Sequence, residues 1–111
     1  MTEQSVATVT VTELHDLFSK PHKPCLIDVR EPAEWAEVHI PEAIHCPKGE
    51  LATSIDSIMP DKNTPIYLHC RGGMRSIDAA RILISKGYQQ VYSVQGGIND
   101  WAAKGYVVKA S

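Results

Sequence analysis

Apolar positions along the chain fall into short runs between turn formers, and their period switches repeatedly between two and about 3.6 residues. Residues 6–11 read as a strand. Thr12 is placed to cap a short helix in which Leu14, Leu17 and Phe18 share one face. Residues 25–29 read as a strand of the buried type, and Pro32 suits the first turn of a short helix carrying Trp35. Residues 43–46 form a further strand candidate and residues 51–58 a helical stretch. The run from Ile66 to His69 is a strand leading straight into Cys70. From 75 to 86 the pattern is strongly helical, with Ile77, Ala80 and Ile84 facing inward and Asp78, Arg81 and Ser85 outward. Gly87 stops it. Residues 91–94 form the last strand, and Gly97 opens a final helix with Ile98, Trp101 and Ala102 on its inner side.

Strands that are apolar on both faces and alternate with helices predict an α/β fold. The expected architecture is a mostly parallel five-stranded sheet with helices on both faces. In such sheets ligands bind beyond the carboxyl ends of the strands. That rule points to the turn after His69, where Cys70 stands.

Length and composition narrow the picture. The 111 residues fit one domain spanning 1–111, and 43% hydrophobic residues suffice for a core without metal or disulfide staples. A formal net charge of −2 argues against nucleic acid or an anionic membrane surface as the main partner. No run is long enough to span a bilayer, and residues 1–11 hold neither a basic residue nor a long apolar stretch. The expectation is a cytoplasmic protein whose mature chain starts near Met1. No oligomer signal stands out, so a monomer is the default. Cys25, Cys46 and Cys70 show no C-x-x-C spacing, which suggests free thiols with at most one reactive. The pairs His45-Cys46 and His69-Cys70 are adjacent, but strand neighbours point to opposite faces. With zinc spacings also absent, no metal and no other cofactor is expected. Trp35, Tyr67, Tyr88 and Trp101 are explained by packing, and Cys25 and Cys46 by burial in strands.

The segment with chemical promise is C-R-G-G-M-R-S, Cys70 to Ser76, between a buried strand and the long helix. Gly72 and Gly73 let the backbone turn with positive φ, so that successive N–H groups point inward as an anion nest. The helix start adds unpaired N–H groups and the positive end of its dipole. Arg71 and Arg75 add two charges. Thiols in such fields have pKa values of roughly 3.5–7.5. The bland alternative is a buried strand-end cysteine followed by an ordinary turn. The convergence of cysteine, glycines, arginines and helix start favours a reactive thiol.

These residues resemble the active loop of rhodanese-like domains, C-x-x-G-x-R-S/T, at every fixed position. Asp28-Val29-Arg30-Glu31 with Glu34-Trp35 is similar to the family's D-V-R-E-x-x-E-aromatic motif. His39-Ile40-Pro41 with Ala43 is similar to G-H-I-P-G-A, with Val38 and Glu42 standing where glycines are common. Gly96-Gly97-Ile98 with Trp101 and Gly105 is similar to the C-terminal G-G-x-x-x-W motif. The resemblance implies a sulfurtransferase. Cys70 would take a sulfane sulfur from thiosulfate or a similar small anionic donor as a persulfide and pass it to a thiol or cyanide acceptor. Arg71, Gly72, Gly73, Met74 and Arg75 would bind the substrate, with Met74 shaping acceptor choice. Arg75 either attracts the anion or turns toward a structural carboxylate. The family also implies that Asp28, Arg30, Glu31 and His39 brace the loop rather than react.

Two rivals remain open. A cysteine-dependent phosphatase or arsenate reductase would use the same parts, but Arg75 gives C-x4-R where phosphatases resemble C-x5-R. The shorter ring suits a single sulfur better than a tetrahedral phosphate. A non-enzymatic regulatory or binding module is the other, and such modules often lack the cysteine that this chain keeps.

Overall fold

The computed structural model describes residues 6–110; the expected start near Met1 and the closing Ser111 lie outside them. The order of elements is β1 (Ala7–Val9), α1 (Val11–Phe18), β2 (Cys25–Asp28), α2 (Pro32–Glu37), β3 (Ile44–His45), α3 (Lys48–Ile58), β4 (Ile66–His69), α4 (Arg75–Ser85), β5 (Val91–Val94) and α5 (Gly97–Ala103). The five strands form one sheet ordered β1-β5-β4-β2-β3, and all four pairings are parallel. The expected α/β architecture is therefore present, with a sheet that is parallel throughout.

Successive strand side chains face opposite ways, and the core divides accordingly. Ile27, Ile66 and Leu68 pack with Leu51 and Ile55 of α3 and Ala79, Ala80 and Leu83 of α4. Leu26 and Val94 pack on the other face with Val11 and Leu14 of α1 and Ile98 and Trp101 of α5. No described helix is long and apolar enough to cross a membrane.

Several boundaries differ from the sequence expectation for identifiable reasons. Thr10, not Thr12, caps α1, and Val11 is its first residue rather than the end of a strand. The Thr10 hydroxyl accepts the Glu13 N–H at 3.1 Å while the Glu13 carboxylate accepts the Thr10 N–H at 2.8 Å. This reciprocal box fixes the start two residues early. Helix α3 begins at Lys48 behind Pro47 rather than at residue 51, and β3 is only two residues long. The inner face of α4 is Ser76, Ala79, Ala80 and Leu83, with Ile77 and Ile84 half-buried. Ser76 is drawn toward Cys70, as described below, and the small alanines let the helix lie close to the sheet. Ala102 is exposed, and α5 rests on Ile98 and Trp101 alone of the three residues expected to face inward.

Candidate active site

Cys70 follows the last residue of β4, and only four residues separate it from α4. It is 1% exposed, at the base of the loop. The Gly73 N–H donates to its sulfur at 3.1 Å, and the Ser76 hydroxyl lies 3.7 Å from the sulfur. Burial works against a charged sulfur. Hydrogen bonds from the Ser76 backbone and hydroxyl and from the Gly73 and Arg75 backbones outweigh it, so the thiol sits below its ordinary value. Burial instead pushes the Cys25 and Cys46 thiols up. Of the two loop glycines only Gly73 has a positive φ, at 103°; Gly72 does not, and a side chain there would meet open space. One left-handed residue is enough because Gly73 alone must turn its N–H onto the sulfur while passing 3.2 Å from the Gly96 nitrogen, measured from where its Cβ would stand.

The outward side of the loop is held by α5. The Ile98 N–H donates to the Cys70 carbonyl at 2.9 Å and the Asn99 N–H to the Arg71 carbonyl at 3.1 Å. Each peptide is a rigid trans plane, so a carbonyl turned toward α5 turns the N–H of the same plane away from it. This contact requires Gly97, whose φ is 53° and whose Cβ would stand 2.3 Å from the Cys70 carbonyl oxygen. The G-G-x-x-x-W motif therefore carries a loop-shaping role that its spacing alone did not reveal.

A chain of charges holds the loop from α2. Asp28 and Arg30 are both buried and joined through the guanidinium fork, with Nη2 to Oδ2 at 2.8 Å and Nε to Oδ1 at 3.0 Å. Nη2 of Arg30 also donates to the Val38 carbonyl at 2.6 Å, securing the end of α2. From α2, Glu34 receives Arg75 in two bonds of 2.7 and 3.0 Å. The Arg75 guanidinium holds the Glu34 carboxyl down to about 2. Of the two roles open to Arg75, its side chain thus takes the structural one. Arg71 differs: it is exposed, and among the described residues it has no ion-pair partner. It borders a cleft of 150 Å³ with Glu34, Glu37, Val38, Ile98 and Asn99. Met74, directly before α4, is 81% exposed.

The other residues singled out by type make no hydrogen bond to the Cys70 sulfur among the described residues. His39 stacks on Trp35 with ring centroids 3.9 Å apart, and Glu31 is the exposed residue before α2. His69 is fully buried, 3.6 Å from Asp28 through Nε2, and its Nδ1 lies 3.3 Å from the Cys70 carbonyl oxygen. Burial pushes its pKa down, which keeps it neutral. Among the described residues no three His, Cys, Asp or Glu side chains converge as metal ligands. Glu34, Ser93 and Asn99 were not singled out for the site, since each reaches it from a distant element.

The family profile described as Rhodanese-like domain matches residues 10–104. A protein named sulfurtransferase from Allochromatium vinosum is 38% identical over 85 residues, covering 77% of this chain and 78% of that protein. YrkF of Bacillus subtilis, whose name calls it a sulfur carrier protein, is 37% identical over 79 residues. That match covers 71% of this chain but only 42% of YrkF. The crystal structure of a rhodanese-related protein from Thermoplasma volcanium is similar with a TM-score of 0.80 at 27% identity, covering 95% of this chain and 99% of the other.

Proposed function

The chain belongs to the rhodanese-like sulfurtransferase family, and from that premise we propose that Cys70 carries a sulfane sulfur from thiosulfate, or a similar small anion, to a thiol or cyanide. The Cys70 thiolate attacks the outer sulfur of thiosulfate. The bond between the two thiosulfate sulfurs breaks and sulfite leaves with its electron pair. Cys70 is left as a persulfide anion, so charge balances. An acceptor thiolate or cyanide then attacks the outer sulfur and Cys70 departs as the thiolate. The observation that carries this reading is the Gly73 N–H aimed at the Cys70 sulfur from 3.1 Å, since a fixed donor favours the anionic form.

Arg71 attracts the incoming anion, Gly72 and Met74 form the mouth, and Arg75 fixes the start of α4 through Glu34. An arginine already occupied by a carboxylate is poorly placed to clamp a phosphate ester, which weighs against the phosphatase reading. Three free thiols suit a reducing cytoplasm, and we take residues 1–111 to act as one rhodanese-like domain.

The test is sulfur transfer from thiosulfate to cyanide by native protein and Cys70→Ala, with intact mass after thiosulfate alone. Expected are turnover that vanishes in the variant and one added sulfur atom on the native chain. The absence of both turnover and added mass with thiosulfate would overturn the choice of donor, and phosphate-ester hydrolysis at Cys70 would overturn the reaction class.

A further inference from the structure

We propose that Ser93 is a positioning residue for the Cys70 sulfur, acting through the hydroxyl of Ser76; the inference rests on the reading of Cys70 as the sulfur carrier. Ser76 lies in the first turn of α4 and Ser93 on β5, and both are buried, at 0% and 1% exposure. Their hydroxyl oxygens are 2.7 Å apart, and that of Ser76 is 3.7 Å from the Cys70 sulfur. Among the described residues neither hydroxyl has any other hydrogen-bond partner. Ser93, Ser76 and the sulfur therefore form a line with two contacts, which meets the Gly73 N–H only at the sulfur.

Proton counting gives that line a direction. Ser93 touches one acceptor, the Ser76 oxygen. If Ser76 donated to Ser93, the Ser93 proton would be buried without an acceptor, and the Ser76 proton would point away from the sulfur. If Ser93 donates to Ser76, the Ser76 proton is turned onto the sulfur and both protons are used. Buried polar hydrogens are rarely left unmatched because the desolvation cost is then uncompensated. The sulfur already accepts the Gly73 N–H, so a second donor suits its role as an acceptor. With Cys70 as thiol the line holds three protons for two contacts; with Cys70 as thiolate it holds two for two. In a persulfide the inner sulfur also carries no proton and can still accept, less strongly than a thiolate because the charge has moved to the outer sulfur. Ser93 contributes by fixing the rotation of a hydroxyl that could otherwise swing freely and by polarising it as a donor.

The pH dependence of Cys70 alkylation by iodoacetamide, followed by peptide mass, reads this directly. Ser93→Ala should move the midpoint upward, slowing alkylation about two- to fivefold at a fixed pH below it. Ser93→Thr restores the hydroxyl and should return the midpoint toward the native one. In a Ser76→Ala background, removing the Ser93 hydroxyl should add no further slowing. Thermal melts confirm that each variant is folded. A folded Ser93→Ala with the native midpoint overturns the proposal. So does a folded Ser93→Thr as slow as Ser93→Ala, or an equal slowing by Ser93→Ala when Ser76 is already alanine. Alkylation needs no sulfur donor, so a failure of thiosulfate turnover and a failure of this proposal are read separately.

Discussion

Helices α2 and α5 both hold the loop after β4, and they do so by different means. Helix α2 works through long charged side chains: Arg30 reaches from a buried carboxylate to the α2 backbone, and Glu34 reaches from α2 to Arg75. Helix α5 works through its own backbone, pressed so close that only a glycine fits at its first position. Charge acts over the length of two side chains and answers to pH and salt. Backbone contact acts at about 3 Å, is indifferent to both, and tolerates no added atom. The α5 contact therefore sets the shape of the loop around the sulfur, while the α2 contact sets where α4 and its first turn begin.

The largest effect should come from breaking the charged support at its root. Asp28→Ala leaves Arg30 buried without its carboxylate, and removing one partner of a buried pair typically costs about 3–5 kcal/mol. Urea unfolding of the variant checks this; a loss below about 1 kcal/mol would show that Arg30 finds water or another partner. Breaking the backbone support comes next. Gly97→Ala places a methyl group against the Cys70 carbonyl in a left-handed conformation and disrupts two backbone hydrogen bonds, a combined cost of about 2–4 kcal/mol. Because the damage is at the loop, sulfur transfer should fall further in Gly97→Ala than in Asp28→Ala assayed at equal folded fraction. The reverse order would assign loop shape to the charges instead.

Local patterning revealed the parts of this arrangement that local sequence controls. The strand ending at His69, the loop cysteine and the strand 91–94 stand where short apolar runs between turn formers put them. The start of α1 is ambiguous in the sequence because Thr10 and Thr12 could each cap it, and only the partner Glu13 decides between them. The inward face of α4 differs from the expectation because a serine, not an isoleucine, meets the sheet at its first turn, and hydrophobicity alone hides that. Arg75 could not be assigned from spacing, since its partner Glu34 lies forty-one residues away on another helix. Ser93 was invisible for the same reason: nothing near it in the chain announces a hydroxyl partner across the sheet.

A smaller effect sharpens the contrast between the two loop arginines. Arg71 has no ion-pair partner among the described residues, whereas Arg75 is spoken for by Glu34. Arg71→Ala should raise KM for thiosulfate about fivefold, roughly 1 kcal/mol, with a smaller change in kcat and almost none in stability. Raised salt should weaken thiosulfate binding to the native protein and do little to the variant, since the screened charge is already gone. An unchanged KM would remove Arg71 from anion recognition.

The smallest effect lies in acid and belongs to the charged support alone. A glutamate carboxyl ordinarily titrates near 4.5, and the Arg75 guanidinium holds that of Glu34 down to about 2. Its folded pKa is depressed, so its contribution is fully present above about 4.5 and is lost as pH falls toward about 2. The pair is partly exposed, with Glu34 at 25% and Arg75 at 35%, so screening limits its worth to about 1 kcal/mol or less. Glu34→Gln removes the titration while keeping the shape. Urea midpoints of the two proteins should therefore differ by a constant amount above pH 5 and converge between about 4.5 and 2, because other acid-sensitive groups are common to both. Parallel curves through that window would mean that Arg75 is not bound to an ionised Glu34 in solution, and α2 would then hold the loop through Arg30 alone.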